Sequence, residues 1–126
     1  MIRSAAFSLL LICAPANAEP GVCRAIDGDT YVCHGERIRL ENIDAPELHG
    51  RCASEFDAAR AARLFAQQAL DGALAIEIRV YEKRPRDRYG RTLARVLVDG
   101  DDLGELMIGA GLARSYHGEG RRSWCN

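Results

Sequence analysis

The chain has 126 residues, with 17 lysines and arginines against 18 aspartates and glutamates. That length supports one small domain and leaves no room for two. The near-neutral balance argues against a protein that clamps long nucleic acid through a strong overall positive field. Sixteen of the 17 cations are nonetheless arginine, Lys83 being the only lysine, and arginine is the better bidentate partner for carboxylate or phosphate.

Met1-Ile2-Arg3 is a short basic start, residues 5–14 form an apolar run too short to span a bilayer, and Ala16-Asn17-Ala18 is a small-x-small cleavage signature. The pattern predicts a secretory leader over residues 1–18 and a single domain over 19–126. A lipoprotein leader ending at Cys13 would need a small residue where Ile12 stands. No other apolar run is long enough to cross a bilayer, so an exported protein, periplasmic or secreted, is expected, with no membrane attachment once the leader is cleaved. Cys23, Cys33, Cys52 and Cys125 then remain, an even number that predicts two disulfides with three possible pairings. Cys23 and Cys33 flank a tight turn, which favours that pair and leaves Cys52 with Cys125. No C-x-x-C pair supports zinc.

In chain order, residues 21–26 and 30–33 read as two strands joined by Asp27-Gly28-Asp29, a hairpin turn signal. His34-Gly35-Glu36 turns into a third strand over 37–40. That strand runs into Arg39-Leu40-Glu41-Asn42-Ile43-Asp44-Ala45-Pro46-Glu47, where Pro46 pushes Ala45 toward an extended conformation. One cation and two carboxylates, Asp44 and Glu47, therefore sit on a strand end and a rigid turn. A helix is predicted over 54–70, with Ser54 and Asp57 as its capping signature and Ala58, Ala62, Phe65 and Ala69 as its apolar stripe. Ile76, Ile78 and Val80 mark a fourth strand. The basic turn from Lys83 to Arg91 leads to a fifth over 93–98. Leu103, Leu106, Met107 and Ala110 mark a short second helix stopped by Gly111. Three meander strands, a helix, two strands and a closing helix predict an α+β, mainly β domain: a five-stranded Greek-key barrel of the OB-fold type, with one helix after strand three and a short one after strand five.

Three blocks stand in order along this plan: Ile26-Asp27-Gly28-Asp29-Thr30, Arg39 to Glu47, and Asp87-Arg88-Tyr89-Gly90-Arg91. Together, and with Gly111-Leu112-Ala113 after the last helix, they resemble the staphylococcal nuclease family over nearly all of residues 19–126. The resemblance implies a calcium-dependent nuclease that cuts DNA and RNA and leaves 3′-phosphates; single strands are the expected preference, because unstacked strands enter a small cleft most readily. It implies Asp29, Asp44 and the Ala45 carbonyl as calcium ligands, and Arg39 and Arg91 as the guanidiniums that grip the scissile phosphate. Glu47 takes the place of the proposed general base. Asp87, Arg88 and Tyr89 fall in the substrate-contacting loop. The family's tyrosine after Gly-Leu-Ala has no clean counterpart: the direct count falls on His117, and Tyr116, one place earlier, is the candidate substrate contact.

The chemistry suits these residue types. Hydrolysis by water builds charge on the phosphorus oxygens, so catalysis is mostly positioning and charge stabilisation. A hard cation held by oxygens can bind a phosphate oxygen and orient water, and two arginines can donate bidentate hydrogen bonds to the phosphate as its charge grows. The extra basic loops of strongly cationic family members are missing, which implies weaker, more salt-sensitive substrate binding. A monomer is expected. The alternative from another class is a non-catalytic OB-fold module that binds an oligonucleotide, another polyanion or a protein partner.

Overall fold

A computed structural model describes residues 22–125; the expected leader over 1–18 lies outside the described residues. The elements run β1 (Cys23–Ala25), β2 (Thr30–Cys33), β3 (Glu36–Leu40), β4 (Ile43–Asp44), α1 (Ala53–Gly72), β5 (Ile76–Val80), β6 (Thr92–Val98), β7 (Asp101–Asp102), α2 (Leu103–Gly109) and β8 (Arg114–Ser115). The α+β plan, with helices after the meander and after the last long strand, is the one the sequence predicts. Three further two-residue strands, β4, β7 and β8, raise the strand number above five.

The main sheet has the order β1-β2-β3-β6-β5, with β7 appended to β6. All its pairings are antiparallel except β3 with β6, where Arg39 faces Leu93. In the β2–β3 pair the same Arg39 faces Thr30. These registers bring the start of β2, the end of β3 and the start of β6 to one end of the sheet. Asp29, Arg39 and Arg91 are thereby gathered from distant parts of the sequence.

Among the described residues the sheet is OB-fold-like but not closed by pairing of β1 with β5. The outer edge of β1 is instead met by α1. The Ala25 N–H donates to Gln67 Oε1 at 2.8 Å, and Gln67 Nε2 donates to the Cys23 carbonyl at 3.3 Å. One glutamine side chain thus satisfies backbone groups that an edge strand would leave open.

Helix α1 differs from its predicted form in two details. It begins at Ala53, so Ser54 and Asp57 lie inside it, and its N-cap is Cys52, with no side-chain cap. The inward face carries Ala59, Ala62, Ala66 and Leu70 together with Glu55, while Phe65 and Ala69 are half-buried at its flank. Small alanines on this face let the helix lie close to the loop before β2, which larger side chains would hold away.

That loop gives Gly28 a role different from a hairpin turn. A Cβ at Gly28 would lie 2.8 Å from the Ala45 Cβ, 3.0 Å from the Ala62 Cβ and 3.1 Å from the Met107 methyl. The residue is buried where the loop, the Asp44–Ala45 segment, α1 and α2 all meet, and only a missing side chain fits. Tyr31, fully buried beneath it, donates its hydroxyl to the Gly28 carbonyl, and its phenol is pushed well above its ordinary value by burial. Both favoured disulfides are present. Cys23–Cys33 joins residues directly opposed across the first hairpin. Cys52–Cys125 spans 73 residues, a loop whose closure restricts the unfolded chain by about 4 kcal/mol in the chain-entropy picture. No helix among the described residues is long and apolar enough to cross a membrane.

Gly28→Ala is expected to destabilise the domain by about 1–3 kcal/mol, read from the midpoint of urea unfolding with disulfides intact. A loss below about 0.5 kcal/mol would show that the loop can move off Ala45 freely.

Candidate active site

Arg39 stands at the centre of the gathered end of the sheet and is only 4% exposed. Its Nη1 donates to the carbonyls of Leu40 and Ile43, the latter at 2.8 Å. The guanidinium thus fixes the turn that leads from β3 into the Asp44 segment. Its Nη2 lies 3.4 Å from Asp29 Oδ2, close enough for an ion pair but not aligned as a hydrogen bond, so that nitrogen has no hydrogen-bond partner among the described residues. A buried cationic donor left open in this way suits an incoming anion.

Asp29 and Asp44 are 4% and 5% exposed. Asp29 accepts from the Thr30 hydroxyl at 3.1 Å and from the Ala45 N–H at 3.3 Å. Burial pushes the Asp44 carboxyl above the usual carboxylate range, and the nearby Asp29 adds to this, against the opposing pull of Trp124, Arg121 and Arg39. Two close carboxylates, one of them held at a cost in its charged form, make a donor set of hard oxygens. That set fits calcium or another hard divalent cation and lacks soft ligands. The Cys52, Glu55 and Cys125 cluster is no rival, because both of its sulfurs are spent in a disulfide.

The loop carrying Asp44 and Glu47 is built by carboxylates from three directions. Asp29 takes the Ala45 N–H, Asp27 takes the Leu48 N–H at 3.2 Å, and Glu55 on α1 takes the N–H groups of Glu47 at 3.2 Å and Arg51 at 3.0 Å. Glu55 is buried. It escapes a reading of the sequence because a glutamate in the first turn of a helix looks like a solvated residue favoured by the dipole. The Glu47 side chain is 47% exposed and faces a smaller cavity of about 200 Å³ shared with Asp44 and Ala45.

Arg91 comes from the turn before β6. Asp87 Oδ1 accepts the N–H groups of Tyr89 and Arg91, both at 2.9 Å, and Oδ2 accepts from Arg91 Nε at 2.7 Å. Gly90, at φ +79°, supplies the left-handed residue the turn needs. Asp87, expected among the substrate contacts, thus has both oxygens engaged in building this turn and aiming Arg91. Burial alone would raise its carboxyl, but these hydrogen bonds hold it below the usual carboxylate range. Arg91 Nη1 reaches the Thr30 hydroxyl at 3.1 Å, beside Asp29. Tyr89 is exposed, with the guanidiniums of Arg88 and Arg91 4.8 and 5.5 Å from its ring centroid.

Arg39, Arg91, Arg88 and Tyr89 open onto one cleft of about 740 Å³, which Tyr116 and His117 also line. Tyr116 lies against Arg39, 5.5 Å from guanidinium carbon to ring centroid. Six cations and three carboxylates line this cleft, so its mouth is positive although the whole chain is not. Two residues absent from the predicted set reach the carboxylates: Arg121 pairs with Asp44 and Glu47, and Trp124 Nε1 donates to Asp44 Oδ2 at 3.2 Å. The signal for them was Cys125, because a bond to Cys52 must bring the end of the chain to the Glu47 loop.

Fold and site together define a small OB-fold-like domain with a positive cleft beside a buried pair of carboxylates. The profile of the Staphylococcal nuclease homologues matches residues 37–123, and the chain belongs to that family. It is 36% identical over 110 residues to the Succinoglycan biosynthesis protein ExoI of Rhizobium meliloti (strain 1021), covering 84% of this chain and 58% of that one. It is 32% identical to Protein ParB of Escherichia coli (96% and 72% covered) and 33% identical to the Thermonuclease of Staphylococcus intermedius (75% and 57%). The chain thus spans less than two thirds of the length of two of these three curated relatives.

A carboxyl whose folded value is raised stabilises the fold most when protonated, and that contribution is lost as pH rises through the folded value. Asp44→Asn is therefore expected to raise the melting temperature of the metal-free protein at pH 7 by about 2–4 °C and to have little effect near pH 3. A lowered melting temperature at pH 7 would show that Arg121 and Trp124 outweigh burial.

Proposed function

We propose that this protein is a calcium-dependent nuclease that hydrolyses phosphodiester bonds of DNA and RNA, preferring single strands and leaving 3′-phosphates. The observation that carries this reading is the convergence of two arginines and a buried carboxylate pair at one end of the sheet, beside a positive cleft. Family membership and the likeness to a Thermonuclease support it further.

In this reading Asp29, Asp44 and the Ala45 carbonyl are the groups that would hold the ion, which supplies positive charge at a phosphate oxygen when bound. Arg39 and Arg91 donate to the remaining phosphate oxygens, more strongly as charge develops there in the transition state. Glu47 accepts a proton from the attacking water. The new P–O bond forms as the bond to the 5′ oxygen breaks, and the leaving oxygen takes a proton from solvent water, giving a 3′-phosphate and a 5′-hydroxyl. Tyr89, Arg88 and Tyr116 line the path of the strand, where unstacked bases can lie on aromatic faces. The reading also includes export through the leader over 1–18, with the domain at 19–126. Two disulfides favour an oxidising compartment.

Oxidised protein should degrade single-stranded DNA and RNA at low salt with calcium, and stop when the ion is chelated. Glu47→Gln and Arg91→Ala should each lower kcat/KM by about 10²-fold or more. A folded protein that binds calcium but shows no cleavage whichever divalent metal is supplied would instead be a polyanion-binding module of the same fold.

A further inference from the structure

The chain from Tyr116 to Cys125 forms no helix or strand, yet it is anchored at several points. Cys125 is bonded to Cys52. The Arg114 guanidinium lies 3.6 Å from the Trp124 ring centroid and donates to the carbonyls of Arg122 and Ser123 at 3.3 and 3.1 Å. Trp124 in turn donates to Asp44. These anchors turn the tail inward and leave Arg121 over the two carboxylates. Its Nη1 donates to Glu47 Oε1 at 2.6 Å, and its Nε lies 3.7 Å from Asp44 Oδ1.

A guanidinium in that position is an internal counter-cation. It offsets the repulsion among Asp29, Asp44 and Glu47, and it opposes the approach of any second cation to Asp44. It also holds one oxygen of Glu47, fixing the direction in which the other can face. With 44% of its side chain exposed, Arg121 contributes little to the core. It lines both the small cavity and the larger cleft, so its side chain can give up Asp44 without leaving the site.

The geometry points to Arg121 as a further positioning residue of this site, one that competes with the divalent ion for Asp44 while orienting Glu47. This rests on the reading of Asp29 and Asp44 as the ion's ligands. Ion binding and the seating of the tail are then linked: the ion weakens the hold of Arg121 on Asp44, and the Cys52–Cys125 bond keeps the residue nearby.

The test is a calcium titration of the oxidised protein at low salt, by calorimetry and by the emission of Trp124, the only tryptophan in the chain. Arg121→Ala should bind calcium about three- to five-fold more tightly than the wild type, the scale of a partly exposed ion pair. Arg121→Lys, which keeps the charge, should stay within about two-fold of the wild type. Calcium should shift the emission of Trp124 in the wild type. In cleavage assays Arg121→Ala should lower kcat more than it changes KM, because Glu47 loses its partner. Equal or weaker calcium binding by Arg121→Ala would overturn the inference while leaving the proposed function standing. Failure of all three proteins to bind calcium would overturn both.

Discussion

Arg39 places a full positive charge where almost no solvent reaches, and an unmatched charge there would cost on the order of several kcal/mol. Much of the local structure answers that requirement. The turn after β3 aims the Leu40 and Ile43 carbonyls at one nitrogen, and Asp29 approaches another. Asp29 can stand there only if the loop before it lies flat on Ala45 and Ala62, which is why position 28 has no side chain. The same contacts carry Asp44 to its place beside Asp29. One buried guanidinium therefore sets the position of both carboxylates proposed to hold the ion.

The remaining parts are added by other elements with their own local reasons. Asp87 folds the turn that delivers Arg91, Glu55 clamps the Glu47 loop from α1, and the Cys52–Cys125 bond delivers Arg121 and Trp124. Charges of both signs are interleaved through the site, so the near-neutral total of the chain conceals a positive cleft beside a buried pair of carboxylates. Such an arrangement suits a polyanion that must be held at one phosphate and released afterwards. It is a poor design for gripping a long duplex.

The sequence revealed the element order well because each element carries its own signal. Ile and Val alternate with charged residues in β5, β6 is a nearly continuous apolar run broken by Arg95, and turn residues stand at 34–35 and 99–100, where the backbone does take left-handed conformations. Helix α1 was harder: with so many alanines, several faces look equally apolar, and the buried one is chosen by the loop it packs on. The open edge at β1 was invisible because it depends on Gln67, a residue that reads as part of a polar stripe. In the site, Asp29, Arg39, Asp44, Glu47 and Arg91 were legible as candidates because each stands in one of the three blocks that together resemble the family. Arg121 and Trp124 reach their partners across 74 and 80 positions, and such a partner leaves no local pattern. Glu55 holds N–H groups only four and eight positions away and is hidden by its likeness to an ordinary first-turn acid. Asp87 was visible as a site residue, but its job of aiming Arg91 required the hydrogen bonds themselves.

In the proposed mechanism one phosphate and one divalent ion share the end of the sheet organised by Arg39. A crystal structure of the oxidised protein with calcium and a nucleoside 3′,5′-bisphosphate measures this most directly. The ion is expected on Asp29 and Asp44, with a phosphate that accepts from both Arg39 and Arg91. An ion bound away from these aspartates, or a phosphate engaged by neither arginine, would contradict it.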